Sequence, residues 1–218
     1  REGQKEPWEV QLTRETIVVK SVELDFKDGV AHLRLLKFGE RTYQEWEEAV
    51  MEIEKRYKEL GIRGVVFDLR NNPGGFLQGA VFIASEFLDG GAVVKQEQSR
   101  DGGLQTFSVD RKGKLLGIPL VVLVNQGSAS ASEIVAGVLQ ERGRAKLVGE
   151  KTFGKGTIQE AQELTGGAGL HVTIARWLLP SGKFIDKEGI KPDIEVKMDE
   201  KDQTKDLQLE EAIEILLK

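Results

Sequence analysis

Pro119-Leu-Val-Val-Leu-Val-Asn-Gln-Gly-Ser-Ala-Ser-Ala-Ser-Glu-Ile134 is the stretch around which the chain is organised. Leu120–Val124 is an unbroken, valine-rich apolar run, the signature of a strand buried on both faces. Asn125-Gln126-Gly127 breaks it with turn chemistry. From Ser130 the pattern turns helical, with Ala131, Ile134 and Val138 on one face. The unit is strand, tight turn, helix, with serines at the helix start. A helix N-terminus offers free backbone N–H groups and a positive dipole end. A serine placed there suits a nucleophile whose reaction develops a negative oxygen. The same residues fit a capping box, Ser130-Ala-Ser-Glu133, since serine is a favoured N-cap. The two roles are compatible, because a hydroxyl can accept from a backbone N–H and still donate its proton.

Working outward, Gly64-Val-Val-Phe-Asp-Leu69 is a second strand of the buried type. It runs into Arg70-Asn-Asn-Pro-Gly-Gly75 and then a helix expected over Leu77–Leu88. Before it, Ile17–Leu24 and Val30–Leu36 read as strands joined by a Lys27-Asp28-Gly29 turn. Thr42-Tyr-Gln-Glu45 predicts a capping box opening a helix whose apolar positions are Trp46, Val50, Ile53, Tyr57 and Leu60. After it come weaker strands at 92–96 and 106–109, a short strand at 145–149, and strands at 157–164 and 170–178. A final helix spans 205–217. Strands alternate with helices and hairpins flank both ends. The fold class is therefore α/β, a mixed β-sheet core with flanking helices and peripheral β-hairpins. In such sheets sites form at the carboxyl ends of parallel strands. The loops Arg70–Gly75 and Asn125–Ser130 are so placed.

Composition narrows the chemistry. The 218 residues carry a formal net charge of −5, which argues against nucleic acid as a partner. No apolar run approaches the roughly 20 residues that span a bilayer. No signal peptide is visible in Arg1-Glu-Gly-Gln-Lys-Glu6, which predicts a cytoplasmic chain or one trimmed of its export signal. There is no cysteine, which removes thiolate nucleophiles and thiolate metal sites. The two histidines, His32 and His171, lie in alternating runs and read as side chains on sheet faces. They leave too few ligands for a zinc site, so no metal is expected. Serine chemistry here must find a base other than histidine.

Two further loops carry candidates. Gly74 and Gly75 can turn backbone N–H groups toward one point, as an oxyanion hole does, or can simply make a tight turn. Phe153-Gly-Lys-Gly-Thr157 sets Lys155 between two glycines. A desolvated lysine loses its charge more readily and can act as a base; the alternative is a solvated side chain.

Together these loops resemble the carboxyl-terminal processing peptidases, also called tail-specific proteases. The resemblance rests on Gly127-Ser-Ala-Ser-Ala-Ser-Glu-Ile134, on Gly149-Glu-Lys-Thr-Phe-Gly-Lys-Gly-Thr157 with Gln159, and on Asp68-Leu-Arg-Asn-Asn-Pro-Gly-Gly75. Trp177-Leu-Leu-Pro-Ser-Gly182 and Gly189-Ile-Lys-Pro-Asp-Ile194 extend it, so that it covers about residues 12–196. It implies Ser130 as nucleophile, Lys155 as base, Gln159 orienting that lysine, and the N–H groups of Gly75 and Ala131 as the oxyanion hole. It implies a serine endopeptidase with a Ser–Lys dyad and no cofactor, cutting proteins near their carboxyl termini, in an extracytoplasmic compartment, with a homo-oligomer possible. A non-catalytic ligand-binding or peptide-binding scaffold of related fold is the alternative. Residues 1–12 resemble the remnant of a preceding PDZ domain or a linker, and 13–218 the catalytic core.

Overall fold

The computed structural model describes residues 11–14, 19–98, 102–198 and 205–218. The central run Leu120–Val124 is strand β6, and every residue of it is buried. Around it the order is β1 (Val22–Lys27), β2 (Val30–Leu35), α1 (Thr42–Glu59), β3 (Val65–Asp68), α2 (Leu77–Ser85), β4 (Ala92–Gln98) and β5 (Leu104–Ser108). After β6 come α3 (Ala131–Glu141), β7 (Lys146–Gly149), β8 (Thr157–Glu163), β9 (Gly169–Leu178), β10 (Ile194–Glu195) and α4 (Leu207–Leu217). The main sheet has the order β1-β2-β3-β6-β7-β10. Only the β1–β2 pair is antiparallel; β2, β3, β6, β7 and β10 run parallel.

Alternation along β6 explains its unbroken hydrophobicity. Leu120, Val122 and Val124 face a large cluster built with α1, α2 and α3. Val121 and Leu123 face a second cluster closed by Leu209, Ala212, Ile213 and Leu216 of α4. Helices cover both faces, so neither tolerates a polar residue. In the larger cluster Trp46 stands edge-on to Phe67, with ring centroids 5.3 Å apart, and to Phe87 at 5.9 Å. Such pairs add about 0.5–1.5 kcal/mol each beyond burial. A second sheet, β5-β4-β9-β8, is antiparallel throughout and brings Trp177 and Val94 onto the same core.

Several expectations shift. The first strand begins at Val22, while Ile17 and Val18 lie outside the described residues. Glu45 accepts from the N–H groups of Ser21 at 2.6 Å and Val22 at 3.1 Å, so α1 fixes the strand's start. That carboxylate is thereby lost to the expected Thr42–Glu45 capping box. Thr42 Oγ1 instead accepts from Gly39 N and donates to the Lys37 carbonyl. Helix α2 stops at Ser85, three residues early, where the Ser85 hydroxyl bonds back to Val81 O. Residues 1–10, most of the expected PDZ remnant, lie outside the described residues.

Candidate active site

Two loops leave neighbouring parallel strands at their carboxyl ends and lock together. Asn71, at φ 58°, donates its N–H to Asn125 Oδ1 at 2.9 Å, and Asn125 Nδ2 returns a bond to Asn71 Oδ1 at 2.9 Å. Asn72 is fully buried; its amide donates to Leu35 O at 2.6 Å and accepts from Gly74 N at 2.9 Å. Its carbonyl accepts from Ala129 N and from Ser132 Oγ. Gly74 and Gly75 have φ of 96° and 145°. A Cβ on Gly74 would lie 2.7 Å from Ala129 O, and one on Gly75 would strike the Phe38 carbonyl. Only hydrogen fits at either position.

The three serines of the run differ sharply. Ser128 is buried, donates to Leu69 O at 2.8 Å and accepts from Asn125 N at 3.0 Å. Ser132 is buried, and its hydroxyl donates to Asn72 O at 2.9 Å. Both stitch the β6 loop to the glycine loop. Ser130 is half-buried and sits at φ 56°, ψ −116°, a strained conformation for a residue with a Cβ. A serine on such a sharp strand-to-helix turn projects its hydroxyl, as in a nucleophile elbow. The capping box with Glu133 is present. In its carboxylate half, Glu133 Oε2 accepts from Ser130 N at 2.9 Å.

Glu133 joins this helix start to the lysine loop. It is fully buried and also accepts from Thr152 Oγ1 at 2.5 Å, Gly154 N at 2.7 Å and Lys155 N at 2.9 Å. Four donors satisfy a carboxylate that burial would otherwise penalise. The far side of the loop is held by Trp177, whose Nε1 donates to Lys155 O at 2.9 Å. Thr152 Oγ1 accepts from Ile190 N at 2.7 Å, which ties in the Gly189–Ile194 motif. Phe153 does not cover Lys155 as an apolar lid; it is 64% exposed.

All five residues singled out by the family resemblance line one pocket of about 210 Å³: Gly75, Ser130, Ala131, Lys155 and Gln159. Leu77, Ile134, Ile158 and Trp177 supply its apolar wall. The N–H groups of Gly75 and Ala131 have no hydrogen-bond partner among the described residues. An irregularity in the β8–β9 register falls between Ile158 and Gln159, so Thr157, Ile158 and Gln159 all reach the pocket despite strand alternation. His171 also lines it. The alternating sequence around His171 places it on a sheet face; it is on one, and that face is the pocket wall. Glu133 and Thr152 were missed as well. The signal for Glu133 was present as a capping box, but spacing shows nothing of its contacts 19 to 22 residues away.

Charge is concentrated at the root of the glycine loop. Asp68 is buried, which alone would raise its pKa. Hydrogen bonds from His32 at 3.0 Å and from Arg70 outweigh burial and hold the carboxyl well below the usual carboxylate range. His32 is thus the partner of a buried carboxylate rather than a bare sheet-face side chain.

A mixed α/β sheet with a strained serine heading a helix, beside a glycine loop and a lysine loop, is the arrangement of this pocket. The chain belongs to peptidase family S41: residues 29–196 match that family. It is 36% identical to the carboxy-terminal processing protease CtpA of Bacillus subtilis over 191 residues, 87% of this chain and 40% of that protein. It is 43% identical to the carboxyl-terminal-processing protease of Synechocystis over 196 residues, 88% of this chain and 44% of that protein. The chain thus spans less than half the length of these relatives. Among solved structures, the photosystem II D1 C-terminal processing protease superposes with a TM-score of 0.72 at 34% identity, covering 86% of this chain and 51% of that one.

The geometry of Gly75 carries a prediction. On the reading that the family resemblance gives Gly75, an oxyanion donor, Gly75→Val is expected to lower kcat on a denatured protein by about 10²–10³, the usual cost of one such donor. The new side chain would displace the loop from Phe38, with the fold checked by circular dichroism. A folded variant with unchanged kcat removes Gly75 from the site.

Proposed function

We propose that this chain is the catalytic core of a serine endopeptidase that cleaves proteins near their carboxyl termini through a Ser–Lys dyad. The observation that carries the reading is the strained, half-buried Ser130 sharing one pocket with Lys155, Gln159, Gly75 and Ala131. Lys155 Nζ takes the Ser130 Oγ proton as Oγ bonds to the scissile carbonyl carbon. The carbonyl oxygen becomes an oxyanion that accepts from the N–H groups of Gly75 and Ala131. Lys155 then gives the proton to the leaving amine as the C–N bond breaks. Water repeats the sequence on the acyl-enzyme and frees Ser130. Gln159 orients the lysine.

The substrates are proteins or peptides, presented through their carboxyl termini. The names of the carboxyl-terminal processing relatives support that preference; an extracytoplasmic setting rests on the family resemblance alone. Among the described residues no helix is long and apolar enough to cross a membrane. The residues before about 13 read as the end of a PDZ domain or a linker.

The test is covalent labelling with a fluorophosphonate followed by peptide mapping, run beside turnover of a denatured protein. Stoichiometric label on Ser130 together with cleavage supports the reading. Cleavage with no label at Ser130 would overturn it.

A further inference from the structure

Arg70 stands directly before the Asn71–Gly75 loop, and its side chain is only 12% exposed. Nε donates to Asp68 Oδ1 at 2.9 Å and Nη2 to Asp68 Oδ2 at 2.7 Å. Nη1 and Nη2 also donate to Asp206 Oδ1 and Oδ2, at 2.7 and 2.8 Å. Nη1 reaches Gln208 Oε1 at 3.1 Å as well. Every N–H of the guanidinium is used, in two bidentate forks that a lysine could not make. The second fork belongs to the last helix. Asp206 is the N-cap of α4, accepting from Leu209 N at 3.0 Å, and fully buried Gln208 donates to Val196 O at 2.7 Å.

A partly buried ion cluster of this kind is an inefficient source of stability. Desolvation offsets much of its attraction, and apolar groups of equal volume often do as well. What the cluster fixes is direction. From Arg70 the backbone enters Asn71 at φ 58°, then Asn72, then the two positive-φ glycines. An error at the root of this short loop is carried to the Gly75 N–H.

We propose that Arg70, clamped by Asp206 of α4, is a positioning residue that aims the Gly75 N–H at the reacting oxygen, so that the carboxyl-terminal helix is a strut of the active site. This rests on the reading of Gly75 as an oxyanion donor. An oxyanion donor acts only as charge develops, so its misalignment lowers kcat and leaves KM nearly unchanged.

The experiment compares Asp206→Asn with Leu209→Ala, a core change on the same helix that leaves the clamp in place. Arg70→Lys is the third variant. Kinetics on a denatured protein are read with Tm and with amide hydrogen exchange at Asn71, Asn72 and Gly74, whose N–H groups are bonded within the loops. Asp206→Asn and Arg70→Lys are expected to lower kcat by about tenfold or more, since a misplacement near 1 Å can cost about 10². Their KM should stay within about twofold, the uniform-binding term being untouched. Exchange at the three loop amides should rise. Leu209→Ala should lower Tm at least as much while leaving kcat and loop exchange near the parent values. Unchanged loop exchange in Asp206→Asn, or kcat losses that follow Tm across all three variants, overturns the strut. If the parent neither cleaves nor labels at Ser130, the peptidase reading fails instead, and loop exchange still decides whether Asp206 holds the loop.

Discussion

Ser130→Ala is expected to abolish turnover, with kcat on a denatured protein falling by about 10⁶, the scale on which a serine peptidase loses activity with its nucleophile. Fluorophosphonate labelling should vanish with it. The fold should be nearly untouched. A serine N-cap is typically worth about 1 kcal/mol, and the capping box at Ser130 puts the loss on that scale. Ser130→Gly sharpens the test. The φ 56°, ψ −116° conformation strains any residue with a Cβ, at about 1–3 kcal/mol, and glycine relieves it. That variant should be equally dead and more stable by thermal melting. Ser128→Ala and Ser132→Ala should behave in the opposite way. Each removes a buried hydrogen bond between the loops, costing about 1–3 kcal/mol, yet keeps substantial activity. Near-parent turnover in Ser130→Ala would remove the nucleophile assignment outright.

Lys155→Arg is expected to be inactive although it keeps both charge and length. A guanidinium cannot give up its proton in a protein, and the base in this mechanism must start neutral. Lys155→His supplies a base on a shorter arm and should rescue little, because proton transfer needs close approach. The pocket dictates the control. His171 lines it, whereas His32 is occupied with Asp68, so His171→Gln is the decisive companion. The measurement is a pH–rate profile of kcat/KM for the parent, Lys155→Arg and His171→Gln. An active Lys155→Arg, or a pH–rate limb lost in His171→Gln, would replace the Ser–Lys mechanism with a different one.

The architecture was legible because its main signals are local. Leu120–Val124 and Val65–Phe67 are continuous apolar runs that only a twice-covered strand explains, and the stripe from Trp46 to Ile53 has one helical period. Boundaries failed where a distant partner decides them. Ser21 and Val22 are held by Glu45, more than 20 residues on, and no pattern around residue 20 reports this. The pocket divides in the same way. Spacing places a serine at a helix start but cannot choose among Ser128, Ser130 and Ser132, which differ in burial and backbone angle; the family resemblance made that choice. His171 looked inert because alternation says which residues share a face, not what the face meets. That depends on the β8–β9 pairing and its irregularity at Ile158. The Arg70–Asp206 pair is separated by 136 positions and leaves no trace in either local pattern.

The buried Glu133 carboxylate has a consequence for the protein's own safety during synthesis. The serine turn and the lysine loop meet through one side chain that holds Ser130 N, Gly154 N and Lys155 N together. Bonds to such a carboxylate are strengthened by its burial, and the full set exists only when the serine turn and the lysine loop have both docked around it. A nascent or partly melted chain therefore carries the serine and the lysine without a shared pocket. On the proposed Ser–Lys reading, the capacity to cut appears at the same threshold as the finished fold.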